Sequence, residues 1–190
     1  MKIATLLGTS RPKNFTQHAL SIVEEALRAQ GAEVTRFDPA AKVLPFPGQE
    51  GSFADAVELE RVVRAADGVV IATPEYHGSF PAMLKLILEN MGFPSALSAK
   101  PMALLGVAAG RIGAIKSLEQ LRSVCSHTGA IVLPAPISIA SVNRFFDDAG
   151  RCTDAATKKA VESVASNLLD YMRLNICPRR ALEALVREDQ

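Results

Sequence analysis

Along the chain, short runs of apolar and β-branched residues alternate with longer stretches in which apolar side chains return every three or four positions. The first pattern belongs to strands and the second to amphipathic helices. Their alternation predicts successive strand–helix units around a mostly parallel sheet covered by helices on both faces. Five strands are expected, at residues 2–7, 33–38, 68–73, 101–107 and 130–139, the last interrupted at Pro134 and Pro136. Val69-Val70-Ile71-Ala72 and Met102-Ala103-Leu104-Leu105 are apolar throughout, as strands buried on both faces must be, so these two lie at the centre.

Between the first two strands, Phe15, Ala19, Ile22, Val23, Ala26 and Leu27 form one stripe of a helix, and Gly31 follows its last turn. A second helix is expected to begin at Ser52, with Asp55 three residues on as a capping box, and to turn Val57, Val62, Val63 and Ala66 inward. Pro81 sits in the first turn of a third, where its missing N–H is harmless, ahead of Met83, Leu84, Ile87, Leu88 and Met91. A fourth covers about residues 115–126, and a fifth covers 154–172 with Val161, Val164, Ala165, Leu168 and Met172 facing in. The turn-rich segment 44–52 reads as an excursion loop rather than a domain boundary. Past Pro178, Leu182, Leu185 and Val186 share one side of a short charged helix, either frayed or seated on a neighbouring subunit.

Composition narrows the classes of function. The 190 residues are 48% hydrophobic and 22% charged, enough for one soluble domain whose core needs no metal or disulfide staples. Twenty-one basic residues against 20 acidic ones leave a net charge of +1, without the basic face of a general nucleic-acid binder. Cys125, Cys152 and Cys177 are odd in number and form no CxxC pair, and the three histidines add no ligand spacing, so no metal site is expected. The opening residues are too short an apolar run for a signal peptide, and no stretch approaches the ~20 apolar residues of a membrane span. These features together predict a cytoplasmic protein.

In an open parallel sheet, ligands bind beyond the carboxyl ends of the strands, where strand order reverses. The loops after strands one, three and four therefore carry the chemistry. The first, Gly8-Thr9-Ser10-Arg11-Pro12-Lys13-Asn14-Phe15-Thr16, gathers hydroxyls, an amide and two cations at the start of a helix. Free N–H groups and the positive helix end there favour an anion such as a phosphate. A capped, solvated loop would use the same residue types, and both readings stand on this loop alone. It lacks the GxxxxGK[ST] of an ATPase and the GxGxxG of a dinucleotide fold. The second, Thr73-Pro74-Glu75-Tyr76-His77-Gly78-Ser79-Phe80-Pro81, is held rigid by two prolines and a glycine, and offers fixed amides and a ring edge to a planar ligand. A tight connection with a surface tyrosine is the plainer reading. The third, residues 106–113, has glycines at 106, 110 and 113 that would let backbone approach a ligand closely.

Together, GTSRPKNFT, PEYHGSFPAMLK and the glycine loop resemble the NAD(P)H-dependent FMN reductase family, which includes azoreductases, quinone reductases and chromate or ferric reductases. The resemblance covers roughly residues 1–172 as one FMN-binding domain, with 173–190 as a tail. It implies a flavodoxin-like three-layer α/β sandwich whose five-stranded parallel sheet has the order 2-1-3-4-5. Carried over, the FMN phosphate falls on Thr9, Arg11, Asn14, Phe15 through its N–H, and Thr16. The isoalloxazine ring falls on Pro74, Glu75, Tyr76, His77 and Ser79, mostly through backbone. His77 stands where the family usually has Asn, and a titratable group there could tune the flavin's potential or its choice of acceptor. Gly110 and Gly113 are expected to allow close backbone approach, while Ala108 and Ala109 replace a frequent serine.

The resemblance implies a ping-pong cycle in which NAD(P)H gives hydride to flavin N5 and an acceptor then takes its place. Quinones, azo compounds, metal ions such as chromate or ferric iron, and free flavin are all candidate acceptors. The chemistry then belongs to the cofactor, and no side chain is required as nucleophile or base. It also implies a homodimer or homotetramer, for which Phe46, Phe80 and Phe93 are candidate contact surfaces. A flavodoxin-like electron carrier without NAD(P)H activity is the alternative, although such carriers are typically acidic and carry a T-x-T-G-x-T loop. A phosphate-ester enzyme or nucleotide module is a third reading, but no Asp, His or Cys pair stands near these loops to do hydrolysis.

Overall fold

The computed structural model describes residues 1–179 and 183. Strands β1 (Lys2–Leu7), β2 (Glu33–Phe37), β3 (Gly68–Pro74) and β4 (Pro101–Val107) alternate with helices α1 (Phe15–Ala29), α2 (Ala54–Ala65) and α3 (Ala82–Glu89). After α4 (Ile115–His127) the expected fifth strand is two short pieces, β5 (Ile131–Val132) and β6 (Ile137–Ile139). Both pair with β4, so the sheet has the order β2-β1-β3-β4-β5 with β6 continuing beside β4, and every pairing is parallel. Pro134 and Pro136, which cannot donate to a ladder, divide the strand as the sequence suggests. Helix α5 (Ala155–Tyr171) closes the fold and runs on as a π-helical turn, Met172–Ile176.

Alternate residues of the central strands feed two separate cores. Ala4, Leu6, Val69, Ile71, Met102 and Leu104 pack under α2, α3 and α4, with Leu59, Val63, Leu84, Ile87 and Leu121. Ile3, Leu7, Val70, Ala72, Ala103 and Leu105 pack under α1 and α5, with Leu20, Val23, Leu27, Val161 and Leu168. This two-sided burial is why β3 and β4 carry no polar side chain but that of Thr73. Cys125 belongs to the first core, where burial pushes its thiol up to about 12. Among the described residues one carboxylate is buried: that of Glu24 on α1, which accepts the Thr5 hydroxyl at 2.6 Å and the Arg36 guanidinium at 2.7 and 2.9 Å. That network ties α1 to β1 and β2, and a buried charge is tolerated when it is paired in this way.

The start of α2 differs from expectation. Phe53 is the N-cap and makes no side-chain cap bond, so Ser52 and Asp55 form no capping box. Asp55 instead accepts the Val43 N–H at 2.8 Å and pairs with Lys42 at 3.1 Å, which fastens the excursion loop to the helix and holds the carboxyl below its ordinary range. Val57 is 67% exposed, and Leu59 takes the inward position. The buried stripe is Leu59, Val62, Val63 and Ala66, and at ~100° per residue Val57 lies on the far side of it. Pro81 is the N-cap of α3 rather than its first helical residue. At the other end of the chain, the Met172 side chain occupies the space beside Gly68, and Ile176 packs against the second core. The expected helix bearing Leu182, Leu185 and Val186 lies outside the described residues.

Candidate functional site

Parallel pairing places the loops after β1, β3 and β4 at one rim of the sheet, and they meet around a hollow of about 410 Å³. The first loop contributes Arg11, Lys13, Asn14, Phe15 and Thr16, the second Pro74, Glu75 and Tyr76, and Val107, Ala108, Ala109 and Val142 form the remaining wall. That volume lies within the ~300–1,000 Å³ usual for a small-molecule or cofactor site.

The first loop is built to leave donors unspent. Asn14 is the N-cap of α1: its side-chain oxygen accepts the Gln17 N–H at 2.7 Å, and its amide nitrogen donates to the Arg11 carbonyl, also at 2.7 Å. Asn14 therefore shapes the loop with both ends of its carboxamide. The N–H groups of Phe15 and Thr16 donate to no acceptor among the described residues, and the first turn of α1 carries no acidic residue. Two cations, Arg11 and Lys13, stand exposed beside this positive helix end. Lys13 is held at φ +51°, a left-handed conformation that costs a non-glycine residue roughly 1–2 kcal/mol. Buried Thr9 accepts the Arg11 N–H at 3.2 Å, and its hydroxyl lies 3.4 Å from that of Tyr76, joining the first loop to the second.

The second loop is committed to the protein itself. Glu75 N–H donates to Val107 at 3.3 Å, and the Glu75 carboxylate accepts the Ser117 N–H of α4 at 3.0 Å. Tyr76 and Ser79 exchange backbone bonds of 2.9 and 3.0 Å across His77 (φ +52°) and Gly78 (φ +75°), a two-residue turn with both central residues left-handed. Turns of this type favour Asn-Gly, because asparagine tolerates that conformation better than other residues with a side chain. An asparagine at position 77 thus answers a backbone demand. His77 is exposed and its side chain does not line the hollow, which revises the expectation that it works at a ring edge.

Of the residues expected from sequence, Arg11, Asn14, Phe15, Thr16, Pro74, Glu75 and Tyr76 line the hollow, and buried Thr9 contacts two of them, Arg11 and Tyr76. His77, Ser79, Gly110 and Gly113 do not line it. The glycine loop also differs from expectation. A Cβ on Gly106 would stand 2.7 Å from Leu118, and one on Gly113, itself at φ +83°, would stand 2.5 Å from the Ser138 hydroxyl. These two glycines let α4 and β6 pack closely, and only Gly110 faces open space. Lys13, Val107 and Val142 were missed. Lys13 sits within the quoted loop and was overshadowed by Arg11, while Val142 comes from a 3-10 turn after β6 that no periodicity announces.

The model of the NADPH-dependent FMN reductase family matches residues 1–143. The chain belongs to that family. A curated relative, the NADPH azoreductase of Bacillus sp. (strain OY1-2), is 29% identical over 175 residues, covering 90% of this chain and 93% of the relative. The 2-hydroxy-1,4-benzoquinone reductase of a Burkholderia species is 25% identical over 181 residues, covering 91% and 97%. Among solved structures, the flavoenzyme NAD(P)H:(acceptor) oxidoreductase of Paracoccus denitrificans superposes with a TM-score of 0.76 at 20% identity, over 90% of this chain and 97% of that one. That last likeness shows a shared flavodoxin-like fold. The FMN of this family has a phosphate at one end and a flat ring at the other. The hollow suits both, with free amides and cations of the first loop at one side and the rigid Pro74–Tyr76 backbone at the other.

Proposed function

We propose that the protein is an FMN-dependent NAD(P)H oxidoreductase that passes reducing equivalents to a small-molecule acceptor, with quinones and azo compounds as the first classes to try. One observation carries this reading: the unspent Phe15 and Thr16 amides and the Arg11 and Lys13 cations open onto the same hollow as the rigid second loop. An anion seated there gains charge-assisted hydrogen bonds without displacing any internal bond. Bound FMN supplies the hydride chemistry. The chain's own residues hold its phosphate through Arg11, Thr16 and the Phe15 N–H, and frame its ring with Pro74, Glu75 and Tyr76. Glu75 is the carboxylate among the described residues of the wall, and one of its oxygens accepts the Ser117 N–H of α4.

The curated relatives named above act on an azo or a quinone substrate, and their names motivate the acceptor classes. Purified protein loaded with FMN should lose its yellow colour on anaerobic addition of NADPH or NADH and regain it with a quinone. Colour that NAD(P)H does not bleach would instead support an electron carrier, and no uptake of FMN would remove the reading altogether.

The same reading includes assembly into a homodimer or homotetramer. Phe46 is 70% exposed, Phe93 is fully exposed, and Val43 and Val57 are largely so, whereas Phe80 is partly buried against the first core. Asn90 donates to the Pro45 carbonyl at 3.0 Å, which fastens the loop of Phe46 beside the end of α3 that leads to Phe93. Exposed aromatic residues on one fastened surface suit a subunit contact. Light scattering should give a dimer or larger, reduced to monomer by Phe46→Ser with Phe93→Ser; a monomeric wild type would overturn it.

A further inference from the structure

The hollow has a neighbour across one of its walls. Beyond β6 the chain makes a 3-10 turn, Val142–Arg144, fastened to the loop after β4. The Ser141 N–H donates to the Gly110 carbonyl at 3.0 Å, and the Val142 N–H to the Ala108 carbonyl at 3.1 Å. Residues three apart in such a turn share a face. Val142 lines the first hollow, whereas Ser141 and Arg144 line a second cavity of about 360 Å³, together with the end of β6 and the start of α5. The two share no lining residue, so the turn stands between them. The floor of the second is apolar, with Ile139 and Phe145, and the hydroxyl residues Ser141 and Thr157 stand at its edge. Among the described residues Arg144 is the one charged group that lines it, and its exposed guanidinium makes no hydrogen bond or ion pair with any of them. Two of the acids that follow it in the chain are committed elsewhere: Asp147 pairs with Arg151 at 2.8 Å, and Asp154 caps α5 by accepting the Thr157 N–H at 2.7 Å.

We propose that this second cavity takes the adenosine end of the reducing coenzyme, and that Arg144, by binding a 2′-phosphate there, makes NADPH rather than NADH the preferred donor. The proposal rests on the FMN reading. A dinucleotide that brings its nicotinamide to a ring seated in the first hollow lays its other half beyond the wall, and the turn that forms this wall sets the second cavity next to it. NADPH and NADH differ only in the 2′-phosphate, so a free guanidinium discriminates between them, its planar fork matching phosphate oxygens. The apolar floor suits a flat heterocycle. A further cavity, about 280 Å³ between α4 and β6, offers no such group. Glu119 lines it, and its Arg122 already donates to the Leu133 carbonyl at 2.6 Å.

R144Q tests it, with R144K as the conservative variant and R111A as the control. Arg111 is exposed on the loop after β4 and lines neither cavity, so its loss removes the same charge without touching the proposed contact. Binding is read by calorimetric titration with adenosine 2′,5′-bisphosphate and with 5′-AMP. The wild type should hold the bisphosphate about tenfold more tightly, the order of one charge-assisted contact. R144Q should erase that difference, R144K should restore part of it, and R111A should keep it. In steady-state turnover of the FMN-loaded protein, R144Q should lower kcat/KM for NADPH about tenfold relative to NADH, through KM. A wild type that binds the two probes alike would overturn the proposal. So would an equal loss for NADPH and NADH in R144Q, or a loss of the same size in R111A. The titration runs on the apoprotein as well, so a chain that takes up no FMN sinks the flavin reading while the bisphosphate still decides whether Arg144 binds a 2′-phosphate.

Discussion

The loops after β1 and β3 face the same hollow but spend their polar atoms in opposite ways. Between Thr9 and Thr16 the chain leaves the Phe15 and Thr16 amides and two cations without partners among the described residues, and holds them open with a cap and a left-handed lysine. Between Pro74 and Ser79 most backbone groups and the Glu75, Tyr76 and Ser79 side chains are bonded to β4, to α4, to the first loop or within the loop itself. The first loop is an electrostatic device whose ligand completes it. The second is a steric and directional device, finished before any ligand arrives. Changes in the first should therefore appear in affinity and salt dependence, and changes in the second in rigidity.

The strongest test of this contrast is Arg11→Ala. Removing a charge-assisted contact to a phosphate should weaken FMN binding by about 2 to 4 kcal/mol, with little change in the melting temperature of the apoprotein. Titration of apoprotein with FMN at two salt concentrations measures it, and unchanged affinity would show that the first loop is only a solvated connection. Next in size is Gly8→Ala, at the joint where the two loops approach. A Cβ there would stand 2.8 Å from the Ala72 carbonyl oxygen and 3.3 Å from Thr73 Cα, both of them backbone. Forcing them apart should cost about 1 to 3 kcal/mol of stability and weaken FMN binding as well. Chemical denaturation alongside FMN titration would show this, and a variant as stable as wild type would mean the joint has slack.

The central place of β3 and β4, the division of the fifth strand and the rim that carries the site were legible because each follows from a local pattern, while the full strand order came with the family resemblance. The apolar runs of β3 and β4, the prolines at 134 and 136 and the helix-opening Asn14 mark these places. What escaped was long-range pairing. Asp55 looks like half of a capping box in sequence, but Lys42 and the Val43 N–H, 13 and 12 residues away, claim its carboxylate. Gly106 and Gly113 look like a ligand loop, but the surfaces that exclude a side chain there belong to Leu118 and Ser138. Ser117 and Gln120 carry no motif, and their bonds to Glu75 and Gly78 appear only when α4 is set beside the second loop.

A smaller effect is expected where the two loops touch through side chains. The hydroxyls of Thr9 and Tyr76 are 3.4 Å apart, a weak bond, so Tyr76→Phe should cost at most about 0.5 to 1 kcal/mol in FMN affinity. Thr9→Val should cost more, because the Thr9 hydroxyl also accepts the Arg11 N–H and shapes the first loop. Equal effects of the two substitutions on FMN affinity would show that the bridge, rather than the shape of the first loop, is what matters.

The smallest change should run in the opposite direction. His77 is exposed and left-handed, at the first central position of a turn whose second is Gly78. If this residue is chosen by backbone geometry, His77→Asn relieves conformational cost and should raise stability by about 0.5 kcal/mol while leaving FMN affinity unchanged. His77→Gly should relieve that cost too, but lose part of the gain through greater freedom of the unfolded chain. Thermal denaturation of the three apoproteins ranks them: asparagine first, glycine next and histidine last. An asparagine variant less stable than wild type would mean that the imidazole makes a stabilising contact of its own, and the second loop would then owe its rigidity to a side chain as well as to its turn.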